Sequence, residues 1–215
     1  MIMRKTKEEA QQTKEALLAA ALEVFYQRGV SRASLHEIAT AAGVTRGALY
    51  WHFKNKEDLF DALFQQVFCP LRTQLQHDID TSSPGALNNM MQAMEQMFFR
   101  MSSDESYRKF CYILYLNCEH TADNKAIVKL LQKYQNLWWQ NLCTVFQLSC
   151  EQNILPQDSD IEQAALYFQA LFMGLTTLWL SNLQTLDINE IAHNFINIAL
   201  ESLRHNPRLR KKPEI

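Results

Sequence analysis

The residues best suited to recognition chemistry lie in one short segment, from Thr45 to Lys56. Arg46 offers a planar fork of N–H donors, and such a fork is the commonest reader of the O6 and N7 atoms of guanine. The small residues Gly47 and Ala48 come next, so the backbone here can approach another surface closely. Four residues that can donate hydrogen bonds to phosphate oxygens come after them, three with polar aromatic rings and one with an ammonium group: Tyr50, Trp51, His52 and Lys56. The segment therefore has the composition of a DNA-contacting helix end.

Two short predicted helices hold this segment in place. Apolar residues recur at i, i+3, i+4 and i+7, which marks one buried helix face: Leu35, Ile38, Ala39 and Ala42. Ser34 and Glu37 have the spacing of a capping box at the start of that helix. Gly43 can end the helix in the left-handed conformation, and Thr45 can cap a second helix, Arg46 to His52. This spacing predicts a helix-turn-helix.

The amino-acid sequence of this region resembles that of the DNA-binding region of the TetR family of repressors. The similarity rests on AALEVFYQRG at residues 20–29 and on AGVTRGALYWHFKNKEDLF at residues 42–60, and it is greatest to the branch that controls multidrug efflux pumps. The resemblance implies phosphate contacts at Ser34, Thr45, Tyr50, His52 and Lys56, and base reading at Arg46 and Gly47. With Ala48 and Trp51, these residues form the predicted DNA-binding set. An alternative remains that Tyr50, Trp51 and Phe53 are core aromatics of a small three-helix unit.

Length and composition predict an all-α protein. The 215 residues are enough for two units, and the chain has only five Gly and five Pro. We expect an N-terminal three-helix DNA-binding domain over residues 1–57. A helical ligand-binding and dimerisation domain should follow over residues 58–215, making about nine helices in all. Nine Lys or Arg against five Glu in residues 1–56 give that part a charge of +4, whereas the remainder carries −6. Only the first part should attract phosphate.

Several classes of function find no support in the sequence. The five cysteines include no C-x-x-C pair, so no disulfide framework or zinc site is predicted. We find no phosphate loop, nucleophile elbow or paired metal-binding histidines, and we expect no enzyme activity, cofactor or metal. No export signal is recognisable, and a cytoplasmic location is expected. The apolar segment 164–180 is seventeen residues long and is interrupted by Gln169, Thr176 and Thr177, so we expect no membrane insertion.

The remaining helices are predicted from apolar stripes and caps. The first should begin near Thr13 and end at Gly29, and the fourth should run from Asn55 to just before Pro70. This fourth helix follows the reading helix directly and could transmit a displacement between the domains. A helix of about thirty residues ends near Asn153. Capping boxes at Ser159 with Glu162 and at Asp187 with Glu190 should open the last two helices, and the basic tail 208–212 should be solvated.

Two further sets of residues are predicted in the second domain. Aromatic and methionine side chains at helical spacing suit a pocket for a hydrophobic or cationic small molecule, although such stripes also form closed cores: Met90, Met94, Phe98, Phe110, Tyr134, Trp138, Phe168, Phe172 and Trp179. The resembling family pairs its last two long helices with those of a second subunit. This implies a dimer interface at Leu171, Leu175, Leu178, Ile191, Phe195 and Ile198.

These expectations combine into a homodimeric transcriptional repressor of a pseudo-palindromic, double-stranded operator. A small inducer in the second domain would displace the fourth helix and release the DNA. Control of a multidrug efflux pump is implied by the resemblance alone. The alternative is a helix-turn-helix regulator that acts without a small-molecule inducer.

Overall fold

The computed structural model of the chain describes residues 7–118, 124–182 and 186–212. These ranges contain nine α-helices, and their only β-pairing is an isolated bridge between Ser159 and Arg210. The predicted all-helical class is confirmed. The helices are α1 (Lys7–Arg28), α2 (Leu35–Ala41), α3 (Arg46–His52), α4 (Lys56–Asp80), α5 (Ala86–Ser103), α6 (Glu105–Leu116), α7 (Lys125–Glu151), α8 (Ile161–Ser181) and α9 (Ile188–His205).

The helices pack into two compact units, and each unit is discontinuous in sequence. The first unit comprises Met1–Cys69 and Ser106–Leu131, and the second comprises Pro70–Glu105 and Gln132–Ile215. Helix α6 and the first turns of α7 therefore belong to the same unit as the helix-turn-helix, whereas the preceding helix α5 belongs to the second unit. The predicted boundary after residue 57 separates a DNA-binding part from a ligand-binding and dimerisation part. This division of function remains a proposal.

The core of the first unit is built on the apolar stripe of α1. Leu17, Ala21 and Phe25 are fully buried there. They pack in one cluster with buried residues of α2, α3, α4 and α6: Ile38, Ala39, Leu49, Leu59, Phe60, Phe110 and Ile113. Burying a large apolar side chain stabilises a fold by about 1.5–3 kcal/mol. This cluster therefore fixes α6 firmly to the helix-turn-helix.

Polar and aromatic contacts also join α6 to α1, and we call them the α1–α6 contact. The Lys109 ammonium pairs with the Glu23 carboxylate and lies 5.6 Å from the centre of the Tyr26 ring. The Tyr112 ring meets the Tyr26 ring edge to face, with the ring centres 5.2 Å apart. The Asn117 amide donates to the carbonyl of Tyr26 at 3.1 Å. These contacts hold the C-terminal turn of α1 from one side.

The second unit contains α5, α8, α9 and most of α7. Helix α5 packs on α9, where the Glu95 carboxylate lies 2.8 Å from Nδ1 of His193. Helix α8 is long and apolar enough to cross a membrane by length and composition alone. Its apolar character has a simpler explanation, because eight of its residues are buried inside the unit: Ala164, Ala165, Phe168, Phe172, Leu175, Thr176, Trp179 and Leu180.

Three predicted helix ends differ from the structure. Helix α1 already begins at Lys7, because a polar first turn can be helical without being buried. Helix α4 continues through Pro70 to Asp80, since a proline removes one backbone donor and the rest of the helical ladder remains. Helix α8 is capped by Asp160, which accepts from the backbone N–H of Gln163 at 3.1 Å, and not by Ser159. The Ser159 hydroxyl donates instead to the carbonyl of Pro156 at 2.7 Å.

The basic tail is anchored, contrary to the expectation that it is solvated. The Arg210 guanidinium donates to the carbonyls of Leu203 at 3.0 Å and Arg204 at 2.6 Å, near the end of α9. It also lies 3.4 Å from the Asp158 carboxylate, and its side chain is only 15% exposed. Basic groups commonly bind the unpaired carbonyls at a helix C-terminus in this way. The composition of the tail does not reveal this contact.

Candidate nucleic-acid interface and ligand cavity

Helices α2 and α3 have the predicted caps. The backbone N–H of Glu37 donates to the Ser34 hydroxyl at 3.2 Å, and the backbone N–H of Ser34 donates to the Glu37 carboxylate at 3.0 Å. Gly43 has a φ of +66°, which is the left-handed conformation that a helix end requires. The backbone N–H of Ala48 donates to Oγ1 of Thr45 at 3.1 Å. Local sequence therefore fixes the angle at which α3 begins.

The Ser34 hydroxyl also donates to the Glu37 carboxylate, at 2.9 Å. Hydrogen bonds from the side chain and backbone of Ser34 hold the pKa of Glu37 below its usual value, with a smaller contribution from the charge of Arg28. Ser34 thus has a role in the fold that is separate from the phosphate contact predicted for it. Its exposed position leaves that contact possible.

Helix α3 is attached to the first unit by one deeply buried side chain. Leu49 is 0% exposed, whereas Tyr50 is 44% and Trp51 is 72% exposed. Thr45, Arg46 and Gly47 are also exposed, and Ala48 and His52 are half-buried. The alternative assignment of these aromatics to the core is therefore correct for Phe53, which is 3% exposed, and wrong for Tyr50 and Trp51. The structure brings the predicted base-reading end of α3 to the surface.

Arg46 and Tyr50 contact each other on that surface. Nη2 of Arg46 donates to the Tyr50 hydroxyl at 3.2 Å, and the guanidinium carbon lies 5.3 Å from the centre of the Tyr50 ring. The two residues are one helical turn apart, which is the spacing at which helical side chains meet. These two contacts restrict the orientation of the guanidinium in the protein without DNA.

Gly47 is not required by the packing of the protein itself. A Cβ atom placed on it would have one neighbour within 4 Å, Oγ1 of Thr45 at 3.9 Å, an ordinary contact distance. A glycine inside a helix costs about 0.5–1 kcal/mol relative to alanine. Its presence at an exposed position of α3 is consistent with close approach of the backbone to a partner.

Lys56 lies at the start of α4, with its ammonium turned toward the loop before α2. Nζ of Lys56 donates to the carbonyls of Val30 at 2.7 Å, Ser31 at 2.9 Å and Ala33 at 3.2 Å. The predicted phosphate contact at Lys56 remains a prediction, and the structure adds this second role. Nothing in the sequence indicates it, because the three carbonyls lie more than twenty residues away. The Asn55 side chain caps α4, accepting from the backbone N–H of Asp58 at 2.8 Å.

A small cavity in the second unit brings together parts of two predicted sets. Four predicted pocket residues line it, Met94, Phe98, Phe168 and Phe172. Three predicted interface residues also line it, Leu171, Leu175 and Phe195. Ile196 and Ala199, which belong to neither predicted set, complete the lining. The cavity has a volume of about 20 Å³, which is room for about one water molecule. Pockets for drug-sized ligands usually have about 300–1,000 Å³. A ligand of that size would have to expand this cavity.

The other predicted pocket residues lie elsewhere. Phe110 belongs to the core of the first unit, where its ring lies 5.8 Å from that of Phe60, because α6 packs with the helix-turn-helix. Trp138 is half-buried with its ring 6.4 Å from Phe172, and Tyr134 and Met90 are buried. The indole N–H of Trp179 donates to the carbonyl of Leu186 at 3.1 Å, which ties the end of α8 to the residues before α9.

Helices α8 and α9 expose large apolar side chains. Among the predicted interface residues, Leu178 is 66%, Ile198 is 60% and Phe195 is 43% exposed. Ile191 and Leu171 are half-buried and Leu175 is buried. Helix α8 also has an exposed stripe that was not among the predicted interface residues, formed by Leu166, Ala170 and Gly174 and continuing to Leu178. Its i, i+4 spacing was a readable signal, hidden by the apolar residues on the other sides of the helix.

Reactive groups in the described parts of the chain are few. No cluster of three His, Cys, Asp or Glu that could hold a metal ion occurs there. Burial raises the pKa of the Cys143 and Cys150 thiols, which disfavours the nucleophilic thiolate form at neutral pH. The most distinctive surfaces of the two units are therefore the exposed end of α3 and the apolar face of α8 and α9.

Comparison with known proteins extends over almost the whole chain. A sequence profile described as "Bacterial regulatory proteins, tetR family" matches residues 17–63, which include all of α2 and α3. A second profile, described as "MAATS-type transcriptional repressor, C-terminal region", matches residues 86–205. The two matched segments correspond to the helix-turn-helix region and to the helices from α5 to α9.

Individual relatives agree with these profiles. The chain is 34% identical to the HTH-type transcriptional regulator AcrR of Shigella flexneri over 96% of both chains. It is 32% identical to the HTH-type transcriptional regulator TtgR of Pseudomonas putida, over 98% of this chain and all of the other. Among solved structures, NalD is described as the secondary repressor of the MexAB-OprM multidrug efflux pump in Pseudomonas aeruginosa. It has a TM-score of 0.77 and 30% identity, covering 93% of this chain and all of NalD.

Proposed function

Because this chain belongs to the TetR family of bacterial transcriptional regulators and is a transcriptional repressor, we propose that it controls a multidrug efflux pump operon. We further propose that it binds a pseudo-palindromic operator as a homodimer in the cytoplasm. The support for the target comes from relatives, since NalD represses an efflux pump and shares 30% of its residues with this chain. Residues 1–57 would bind the DNA, and residues 58–215 would bind the inducer and the second subunit.

The exposed end of α3 is the observation that carries the DNA-binding part of the proposal. In a helix-turn-helix, the N-terminal residues of the second helix contact base edges in the major groove. Here that end presents Arg46 and Gly47 to solvent, while Leu49 on the opposite side of the helix is buried in the core of the first unit. Arg46 would read a base pair, and Thr45 and His52 would contact phosphates on either side. Trp51 is exposed enough to cover a sugar or a base edge nearby.

The apolar face of α8 and α9 supports the homodimer. Exposed Leu166 and Leu178 on α8 and exposed Phe195 and Ile198 on α9 would be costly in a monomer. Gly174 has no atom within 4 Å of the position of a Cβ, so the backbone of α8 is open to close approach there. A two-fold interface would place two copies of α3 in matching orientations on two half-sites of DNA. Covering this face in a dimer also explains the apolar composition of α8 without a membrane.

Binding of an inducer in the cavity of the second unit needs a conformational change. The aromatic and methionine lining near Phe98 and Phe172 suits a hydrophobic or cationic inducer, but the cavity holds only about 20 Å³. Binding would therefore select a more open state that releases DNA. Moving operator occupancy from 99:1 to 1:99 requires the inducer to favour that state by about 5.5 kcal/mol. Helix α4 contributes residues to both units, and it would carry the displacement.

The small volume of the cavity also favours a second candidate. A regulator that binds no small molecule would keep a closed core of this kind, and it would release DNA through another protein or through changes in its own abundance. Thermal unfolding with and without the hydrophobic cation rhodamine 6G separates the two candidates. A ligand that binds only the folded protein raises its melting temperature.

One experiment tests the main proposal directly. The DNA upstream of the gene would be footprinted with purified protein, in the absence and presence of rhodamine 6G. We expect protection of two half-sites about one helical turn apart, or a multiple of that spacing, and loss of protection with the dye. Absence of any protected site at low salt would contradict operator binding. Protection that the dye leaves unchanged while the melting temperature stays constant would favour the inducer-free alternative.

A further inference from the structure

On the exposed side of α3, the side chains of Arg46 and Tyr50 contact each other in two ways. The guanidinium donates one hydrogen bond to the phenol oxygen at 3.2 Å and lies 5.3 Å from the ring centre. Two different interactions, a hydrogen bond and a cation–π contact, thus act on the same group. Tyr50 is 44% exposed and contributes little to the core, so its ring is available for this role.

The pair leaves Arg46 able to bind a base. A guanidinium has five N–H donors, and the bond to Tyr50 uses one of them, on Nη2. Four donors remain, including one on Nη2 itself, so two parallel bonds to guanine O6 and N7 can still form. The phenol oxygen also keeps its own proton for another acceptor. The contact therefore restricts where the fork points without consuming its reading edge.

We propose that Tyr50 is a positioning residue for sequence reading, which acts by holding the Arg46 guanidinium in the orientation that a guanine requires. This proposal rests on the proposed function, because it assigns a role within the same DNA-binding surface. A long side chain that is free in solution loses rotamer freedom on binding, and a partner that restricts it beforehand reduces that loss. This smaller loss of side-chain entropy favours binding only where Arg46 binds its preferred base, so it increases specificity rather than general affinity.

A role in positioning predicts a different outcome from the phosphate contact implied by the family resemblance. Phosphate contacts carry no sequence information, so losing one weakens specific and random duplexes alike. Losing the orientation of Arg46 weakens only duplexes that carry the preferred base pair. The base preference of a Tyr50 variant therefore distinguishes the two roles.

The experiment is selection from a library of randomised duplexes, using the full-length protein so that no operator has to be known beforehand. The wild type would be compared with Tyr50→Phe, which keeps the ring and removes the hydroxyl, and with Tyr50→Ala, which removes both. Arg46→Ala would identify the base pair that Arg46 reads. Tyr167→Phe on α8 is the matched control, because it removes a phenol oxygen far along the chain from α3. Circular dichroism and melting temperature would verify that each variant is folded.

We expect Tyr50→Phe to lose about two- to tenfold in discrimination at the base pair that Arg46→Ala identifies, and to keep wild-type affinity for random duplexes. Tyr50→Ala should lose more at the same base pair, and Tyr167→Phe should select the wild-type sequence. In an Arg46→Ala background, Tyr50→Phe should cause no further loss of discrimination, since the residue acts through Arg46.

The proposal is overturned if Tyr50→Phe weakens selected and random duplexes by the same factor, or if it changes neither. It is also overturned if its loss of preference falls at a different base pair from that of Arg46→Ala. A wild-type protein that enriches no sequence at all would instead contradict the proposed function, and this result is distinct from the others.

Discussion

At the scale of single residues, two glycines of the helix-turn-helix have opposite roles. Gly43 has a φ of +66°, which an alanine adopts only with strain of about 1–2 kcal/mol. Gly47 lies within α3 and has space for a Cβ. Gly43→Ala should therefore destabilise the protein by about 1–2 kcal/mol. Gly47→Ala should stabilise it by about 0.5–1 kcal/mol and yet weaken operator binding.

Urea unfolding and operator titration of both glycine variants measure these effects. Each variant is the control for the other, because both changes add one methyl group, at positions four residues apart. Equal signs of the two stability changes would show that backbone conformation does not decide the outcome. Unchanged DNA affinity in Gly47→Ala would remove the reason given for a glycine at that position.

Lys56 is expected to stabilise the fold through its three carbonyl partners. Hydrogen bonds that involve a charged group contribute about 1.5–3 kcal/mol, and Lys56→Met would leave Val30, Ser31 and Ala33 without this donor. We expect a loss in that range in urea unfolding. The matched control is Lys54→Met, which changes an exposed lysine two residues away and should alter stability by less than about 0.5 kcal/mol.

The DNA affinity of Lys56→Met then tests its second role. A lysine that neutralises one phosphate contributes about one unit to the slope of log K against log salt. A reduced slope in Lys56→Met would support the phosphate contact that the family resemblance implies. An unchanged slope would restrict Lys56 to the fold.

Glu37 makes the stability of the protein depend on pH. Its pKa in the folded protein is held below the ordinary value of 4.5 by hydrogen bonds from Ser34. The ionised carboxylate therefore stabilises the fold above about pH 4.5, and this contribution disappears as the pH falls through the lower folded-state pKa. Glu37→Gln should melt at a lower temperature than wild type at pH 7, with a difference that shrinks below pH 4.5. A difference that stays constant from pH 7 to pH 3 would contradict this assignment.

At the scale of the helices, the α1–α6 contact should contribute measurable energy. The Lys109 side chain is 19% exposed and its partner Glu23 is 46% exposed, so the pair is less screened than a surface ion pair. A double-mutant cycle with Lys109→Met and Glu23→Gln should give a coupling of about 0.5–1 kcal/mol. The control cycle is Arg100→Met with Asp104→Asn, an i, i+4 pair whose side chains are both 45% exposed. We expect about 0.3 kcal/mol there, and equal values would show that α6 is not specially held.

The helices also show which parts of the fold could be predicted from the sequence. The helix-turn-helix was predictable almost to the residue, because Ser34, Gly43 and Thr45 act on backbone groups within four positions of themselves. The position of α6 was not, since a stripe such as Phe110 with Ile113 shows that one face is buried and not what covers it. The partners of Lys56 and Arg210 were hidden for a similar reason. A backbone carbonyl accepts a hydrogen bond whatever its side chain, so no residue type marks it.

At the scale of the whole molecule, the apolar face of α8 and α9 should control assembly. Leu178→Glu would place a charge in the proposed two-fold interface, where its desolvation is unfavourable. We expect association at least ~10-fold weaker in sedimentation equilibrium, with operator binding reduced because two half-sites are no longer bound together. Leu116→Glu on α6 is the matched control, since Leu116 is also exposed and should leave association unchanged. A fully dimeric Leu178→Glu would contradict the proposed interface.

The discontinuity of the first unit has a consequence for how the chain matures during translation. Residues 106–131, which complete its core through Phe110 and Ile113, are synthesised after residues 70–105, which belong to the second unit. Until then the growing polypeptide exposes the apolar side of α1 that α6 will cover. The closing contacts join residues roughly ninety positions apart, a separation that slows folding. A nascent repressor should therefore gain its ability to hold an operator only late in synthesis.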